Sequence, residues 1–186
     1  MLKTKTTRCK FCRKLFDEPR YFPQWCSEDC GAELGMRKLA KIKKSQEAKQ
    51  RKADSVKREA IKSRSDWLRE AQTSFNAFIR ARDADLPCIS CGRHHTGQYH
   101  AGHYLSVGAR PELRFCEANV HKQCSACNNY LSGNIVLYRI ALIEKIGQEM
   151  VDYLEGPHAA KKYTIEQLKA IKMNYSAWTK ELKANQ

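Results

Sequence analysis

The chain has 186 residues, which is enough for one modest core or two small ones but not for a large enzyme domain. Its 34 Lys and Arg against 20 Asp and Glu give a formal net charge of +14, which favours a polyanionic partner, with nucleic acid as the first candidate. No run of about 18 apolar residues occurs and no signal-peptide pattern begins the chain, so the sequence predicts a cytoplasmic protein with no membrane partner.

Cysteine is the most informative residue type near the N-terminus. Eight of the nine cysteines occur in pairs spaced by two or three residues, which in a reducing compartment favours metal ligation over disulfides. Residues 1–35 are predicted to form a zinc finger with four thiolate ligands, Cys9, Cys12, Cys26 and Cys30. Whether this finger binds DNA or a protein is open. Cys116 has no spaced partner and is interpreted as structural.

A basic span follows from residue 36 to residue 64. It contains 12 Lys or Arg against 3 Asp or Glu, has no proline or glycine, and carries few large apolar residues. This composition predicts a helix whose apolar stripe is too thin for a good core. It is either a solvated linker helix or, as the one-sided charge favours, an arm that follows DNA phosphates. The candidate phosphate-binding residues are Lys38, Lys41, Lys44, Arg51, Lys52 and Arg58.

Helical patterns flank the centre of the chain. Ser65 is predicted to cap a helix with apolar residues at helical spacing as far as Ile79. Residues 136–186 are predicted to be helical: one amphipathic series precedes Gly156 and Pro157, and a capping box at Thr164 and Gln167 starts another. The last helix packs on its own domain or pairs with a second copy, and its short length favours its own domain.

The central segment contains a second set of paired cysteines. Two CxxC pairs about thirty residues apart predict a closed, structural zinc site formed by Cys88, Cys91, Cys124 and Cys127. Such a site would not by itself explain the positions of His103, Asn119 and Asn128. His103 lies between the two pairs, Asn119 lies five residues before the second pair, and Asn128 follows its last cysteine directly.

This arrangement resembles the zinc-stapled form of the HNH, or ββα-metal, nuclease motif. The chain resembles the phage NinG/Rap family of recombination endonucleases over nearly its whole length. The short segments that carry this resemblance are "LPCISCG", "AGHY", "LRF", "NVHKQC", "CN" and "SGN". The match to the nuclease motif covers residues 88–128, and the resemblance implies an α+β fold. The domain at residues 65–135 is the nuclease module with its preceding amphipathic helix, and its start is near residue 65 or, if that helix is separate, near residue 85. The resemblance also implies a phage protein in a bacterial host that cleaves branched DNA, such as D-loops and Holliday junctions, alongside recombination proteins. The oligomeric state is open, with a homodimer as one option.

Phosphodiester cleavage needs an activated water, a cation beside the phosphate and a stabilised oxyanion. We assign His103 as the general base and Asn128 as a ligand of a catalytic Mg²⁺ or Mn²⁺, in addition to the two structural zinc ions. By resemblance, Asn119 braces the loop between two strands. The family has Asp in a D-A-G-H motif where this chain has His100. Either His100 is a ligand that favours softer ions than Mg²⁺, which is the interpretation we prefer, or cleavage is weakened.

Other polar residues of this segment have less specific interpretations. Arg110, Arg114 and Lys122 are candidate phosphate contacts, although solvated surface charge explains each of them almost as well. His95 is interpreted as a surface residue, and His121 as packing near the cysteines or contacting phosphate. The functional alternative to a nuclease is a non-catalytic zinc protein that binds DNA or a recombination partner.

Overall fold

The computed structural model describes residues 6–17 and 24–185. These residues form a mixed α and β structure that is mostly helical and includes two small sheets, so the predicted α+β class is confirmed. The chain divides into two units, Met1–Ile61 and Lys62–Gln186. The predicted finger, residues 1–35, includes residues 1–5 and 18–23, which lie outside the described part.

The described part of the first unit contains a two-stranded antiparallel sheet and one long helix. Strands β1 (Thr6–Arg8) and β2 (Leu15–Asp17) pair. Helix α1 (Glu28–Ala60) begins where the Ser27 side chain accepts a hydrogen bond from the backbone N–H of Cys30. No residue of α1 is buried, and the six candidate phosphate-binding residues are all exposed. The basic span is therefore helical as far as Ala60, without an apolar core of its own.

The second unit begins with helix α2 (Arg64–Arg82). Its cap is Ser63 and not the predicted Ser65, because Asp66 is three residues after Ser63 and the two side chains complete a capping box. The helix buries a regular apolar face: Trp67, Ala71, Phe75 and Ile79.

Strands β3 (Tyr99–His103) and β4 (Val120–Cys124) form an antiparallel hairpin that carries most of the predicted site. The register places His103 opposite Val120 and His100 opposite Gln123. Val120 packs with Phe75 and Ile79, so one face of the hairpin covers α2. A π-helix (Ala126–Tyr130) follows β4 directly.

Three helices complete the unit: α3 (Ile135–Ile146), α4 (Gln148–Glu155) and α5 (Ile165–Ala184). The single amphipathic series predicted before Gly156 is broken at Gly147, whose φ of 83° ends α3. The predicted capping box of α5 is confirmed, and α5 packs on α2 of the same chain, with Phe75 and Tyr175 in edge contact at 4.9 Å between ring centroids. None of the described helices is long and apolar enough to cross a membrane.

Candidate metal centres and cleft

Two groups of four cysteines could each hold a metal ion such as zinc. In the N-terminal cluster (Cys9, Cys12, Cys26, Cys30) and in the central cluster (Cys88, Cys91, Cys124, Cys127), the four sulfur atoms lie within 4.8 Å of one another. Tetrahedral zinc with bonds of about 2.3 Å places its sulfur ligands about 3.8 Å apart. The Cys12–Cys26 and Cys26–Cys30 sulfur distances are 3.4 Å and 3.6 Å. Both donor sets therefore fit a closed four-thiolate zinc site.

The central cluster is the more deeply embedded of the two. Cys88, Cys124 and Cys127 are buried, and backbone N–H groups point at the sulfur atoms: that of Cys124 donates to Cys88 Sγ at 3.3 Å. Such donors favour the thiolate form that zinc requires. His95 Nε2 lies 3.3 Å from Cys91 Sγ, so this histidine contacts the cluster and is not only a surface residue.

Beside the central cluster is an open cleft of about 610 Å³. His103, at the end of β3, and Asn128, in the π-helix directly after Cys127, both line it. Ser132, Gly133 and Ile135 complete the wall that follows Asn128 in the chain. The structure thus brings together two of the residues predicted to act on the phosphodiester.

The imidazole of His103 is held at one nitrogen. Its Nε2 lies 3.0 Å from the backbone oxygen of Arg114, and a carbonyl can only accept, so Nε2 carries the proton of this hydrogen bond. Burial lowers the pKa of His103 below its ordinary value; the carbonyl of Arg114 opposes this shift, and the Arg114 guanidinium adds to it. The ring is therefore neutral at neutral pH.

Asn119 supports the chain that leaves His103. It is fully buried, its Oδ1 accepts from the N–H of Leu105 at 2.9 Å, and its Nδ2 donates to the Leu105 oxygen at 3.0 Å. Its own backbone oxygen accepts from the N–H of Tyr104 at 2.8 Å. These contacts tie the segment after β3 to the start of β4, which is the bracing position predicted for Asn119.

Asn128 is a polar residue of the cleft lining. Its Nδ2 donates to Asn129 Oδ1 at 2.7 Å, and within the described residues its own side-chain oxygen has no hydrogen-bond donor. A free amide oxygen is a ligand that hard divalent cations accept.

His100 is not brought together with His103 and Asn128. The two histidines are three residues apart in a regular strand, and side chains at odd separations point to opposite faces. Gln123, opposite His100, lies against Gly102 on the face turned away from α2. Among the described residues His100 does not line the cleft, and its buried Nε2 has no hydrogen-bond partner.

The three candidate phosphate contacts of this unit have partners within the fold. Lys122 is only 6% exposed; its Nζ donates to the Ala84 oxygen at 2.7 Å and lies over the Tyr99 ring. The predicted phosphate contact of Lys122 is therefore not supported, because a surface anion would have to displace both partners. Arg110 pairs with Glu112 at 2.6 Å, and Arg114 Nη1 donates to Gln72 Oε1 at 3.2 Å.

One buried polar pair was not anticipated from the sequence. Tyr138, fully buried in α3, donates its hydroxyl to the Gly102 oxygen at 2.9 Å and lies 3.2 Å from His121 Nδ1. Burial, together with the charges of Lys145 and Arg82, lowers the pKa of His121 to about 3. His121 is thus a neutral core residue, and its burial excludes a direct phosphate contact.

These features define a mixed α and β protein with two cysteine clusters that could bind metal ions. The sequence profile described as "Bacteriophage Lambda NinG protein" matches residues 1–185, and the chain belongs to this NinG family. It is 44% identical to "Protein ninG" of Escherichia phage lambda over 98% of this chain and 96% of that protein. It is 43% identical to "Protein ninG" of Salmonella phage P22, over 98% and 97%. No solved structure matches the chain.

Proposed function

We propose that this protein is a metal-dependent endonuclease that cleaves branched DNA, such as D-loops and Holliday junctions, during phage recombination. The observation that carries the proposal is that His103 and Asn128 line the same cleft beside the central cluster. A neutral ring nitrogen and a free amide oxygen in one cleft supply a base and a cation ligand, two of the elements that phosphodiester hydrolysis needs.

His103 acts as the general base. With Nε2 donating its proton to the Arg114 oxygen, the lone pair of Nδ1 is the one that accepts a proton from the attacking water. The lowered pKa keeps this lone pair free at neutral pH. General-base catalysis contributes roughly 10²-fold to 10⁴-fold to a rate, which sets the scale of the loss expected on its removal.

Asn128 is the cation ligand of the cleft. When bound there, Mg²⁺ or Mn²⁺ neutralises charge on the phosphate and polarises its oxygen. The described residues that line the cleft offer side-chain oxygens such as that of Asn128 and the hydroxyls of Ser106 and Ser132, but no carboxylate. Because hard cations prefer anionic oxygen ligands, the scissile phosphate itself must supply the negative charge, and we expect cation binding to depend on DNA.

The role of His100 is tested separately. If it is a cation ligand, His100→Asp introduces an anionic oxygen and raises Mg²⁺-supported cleavage relative to Mn²⁺-supported cleavage. If it is a structural residue on the other face of the hairpin, the ratio stays at the parental value. Measuring both metal dependences of this variant distinguishes the two roles.

The exposed basic face of α1 supplies the affinity for DNA. Its Lys and Arg side chains are solvent-accessible along the helix, and phosphates are alike in every sequence, so this contribution is independent of sequence. Recognition of branched DNA must then come from elsewhere in the protein.

The decisive experiment compares the parent with His103→Ala on labelled linear, forked and four-way DNA, with and without Mg²⁺ or Mn²⁺. We expect the parent to cut branched DNA only with added cation, and the variant to lose about 10²-fold or more while it retains DNA binding and zinc. His94→Ala is the matched control, since His94 is exposed and does not line the cleft. Equal cleavage by His103→Ala would contradict the assignment of the base.

A non-catalytic zinc scaffold that binds DNA or a recombination partner is the second candidate. The absence of a carboxylate among the described residues lining the cleft favours it. Failure of the parent to cut any of the three DNAs with any divalent cation would leave this candidate.

A further inference from the structure

The turn that follows Asn128 exposes two large apolar side chains. Tyr130 is 82% exposed and Leu131 is 58% exposed, and within the described residues the Tyr130 ring has no hydrogen-bond or ring partner. Isolated apolar residues are common on protein surfaces, so exposure alone would mean little. The surroundings of this pair distinguish it from a chance exposure.

The turn is held in a strained conformation. Ser132, Gly133 and Asn134 all have positive φ, at 49°, 87° and 45°, a combination that is unfavourable for the two residues with side chains. Such strain persists only where neighbouring structure imposes it.

Neighbouring contacts fix this turn. The Gly133 oxygen accepts from Gln123 Nε2 at 2.5 Å, and the Gly133 N–H donates to the Cys127 oxygen at 2.9 Å. Asn134 Nδ2 lies 3.6 Å from Cys127 Sγ. Tyr130 and Leu131 are therefore presented from a turn fixed to the central cluster.

The position of the pair relates it to the cleft. Asn128 precedes Tyr130 by two residues, and Ser132 follows Leu131 directly; both flanking residues line the cleft. Tyr130 and Leu131 thus lie in the chain between two residues of the cleft lining. No Asp or Glu occurs between Glu117 and Glu144, so this part of the chain carries no negative charge that would repel a polyanion.

We propose that Tyr130 and Leu131 form a wedge that stacks on a base exposed at a DNA branch point and so places the adjacent phosphodiester in the cleft. This inference rests on the proposed nuclease function. Bases inside a continuous duplex are stacked on one another, whereas a fork or a junction exposes base faces that an aromatic ring can cover. The wedge is a positioning device that selects branched over linear DNA.

Binding and photochemical crosslinking test the wedge without requiring cleavage. Full-length protein is bound, without added divalent cation, to forked, four-way and linear DNA carrying 5-iododeoxyuridine either at the branch point or well inside an arm. We expect irradiation to crosslink the peptide that contains Tyr130 to the branch-point base only. We expect Tyr130→Ala to lose about tenfold in affinity for branched DNA and to bind linear duplex like the parent.

Two further variants separate stacking from a general structural role. Tyr130→Trp retains an aromatic face and should keep the parental preference for branched DNA. Tyr153→Ala removes another exposed tyrosine, 59% accessible and outside the lining of the cleft, and should change neither affinity nor crosslinking. Circular dichroism checks that all three variants are folded.

Each outcome decides the inference. Unchanged binding of branched DNA by Tyr130→Ala, or an equal loss for linear DNA, overturns the wedge. A parent that is dimeric by light scattering and becomes monomeric in Tyr130→Ala also overturns it, since a second copy then covers this surface. A parent that crosslinks at the branch point but cuts no DNA supports the wedge and refutes the nuclease, so the two failures are distinguishable.

Discussion

The two cysteine clusters have the same ligands but very different surroundings. Around the N-terminal cluster, the structure describes two three-residue strands and a helix without a buried residue. The central cluster lies next to the hairpin, whose strand β4 is buried at every position. The same unit also contains clusters of buried apolar side chains. Metal binding by the same set of four cysteines would thus organise a segment with little core in one unit and reinforce an existing core in the other.

The two units also differ in charge and in histidine content. The span from residue 36 to residue 64, mostly in the first unit, has 12 Lys or Arg against 3 Asp or Glu. All six histidines lie in the second unit. The first unit therefore has the composition of an electrostatic arm, and the second contains the imidazole groups of the chain.

The largest expected effect separates the clusters by metal content. Cys26→Ser should remove one zinc ion and the folded structure of the first unit, because metal binding there contributes on the order of 10 kcal/mol and little else is buried. The thermal unfolding of the second unit should be unchanged. Cys124→Ser should remove the other zinc and destabilise the second unit. The helices of this unit should stay folded, because its clusters of buried apolar side chains are retained.

Elemental analysis and thermal unfolding monitored by circular dichroism measure both changes. If the parent protein contained about one zinc ion per chain, or if Cys26→Ser lost no metal, the predicted N-terminal zinc site would be contradicted. Unchanged unfolding of Cys124→Ser would show that the central cluster adds nothing to the core around it.

The second effect concerns the charge of α1. Replacing Lys38, Lys41, Lys44, Arg51, Lys52 and Arg58 together by Gln should reduce the salt dependence of DNA binding by up to about five in the log–log slope, since each phosphate contact contributes about 0.9. Affinity should fall on the order of 10³-fold at low salt for linear and branched DNA alike. Titrations at several salt concentrations measure both quantities.

Exposed lysines of the second unit provide the control for this charge effect. Replacing Lys162, Lys180 and Lys183 by Gln removes surface charge outside α1 and should change the slope by less than about one. An equal change per charge in both variants would mean that only net charge matters and that α1 is a spacer.

The third effect tests the packing of the hairpin. A Cβ on Gly102 would lie 2.2 Å from Gln123 Oε1 and 3.0 Å from Gln123 Cβ. Gln123 is fully buried and donates to Ser90 Oγ at 2.7 Å, so it cannot move away freely. Gly102→Ala should therefore cost about 2 to 3 kcal/mol of stability in denaturant unfolding. Gly97→Ala, with no atom within 4 Å of the new Cβ, should cost little, and similar losses in both would contradict this packing.

Sequence patterns predicted the features that local chemistry determines. Cysteine spacing predicted both clusters, and helical periodicity with capping residues predicted α5, because ligand spacing and caps are short-range signals. The burial of Lys122 and the hydrogen bond from His103 to the Arg114 oxygen depend on how distant segments meet, which periodicity does not encode. Strand alternation alone predicts that His100 and His103, three residues apart, lie on opposite faces of β3. The family motif gives only the order of these residues in the chain and not the face on which each side chain lies.

The smallest effect is a loss of stability in mild acid that belongs to the second unit. The pKa of His121 is lowered to about 3 in the folded protein by burial and by the nearby cations Lys145 and Arg82. Above the ordinary histidine pKa of about 6.5, neither the folded nor the unfolded chain binds this proton, and the stability is complete. As the pH falls below that value the unfolded chain takes up the proton and the folded chain does not, so the free energy of unfolding decreases by about 1.4 kcal/mol per pH unit. Between about pH 7 and pH 5, His121 should therefore cost about 2 kcal/mol, measured by denaturant unfolding with zinc content checked at each pH.

His121→Gln should flatten this dependence of stability on pH. It also lowers stability at neutral pH, because it disturbs the contact with Tyr138. The exposed His94→Gln should leave the pH dependence as in the parent. If His121→Gln retained the full acid-dependent loss, other groups would have to explain it, and the assignment of this loss to the buried ring of His121 would be wrong.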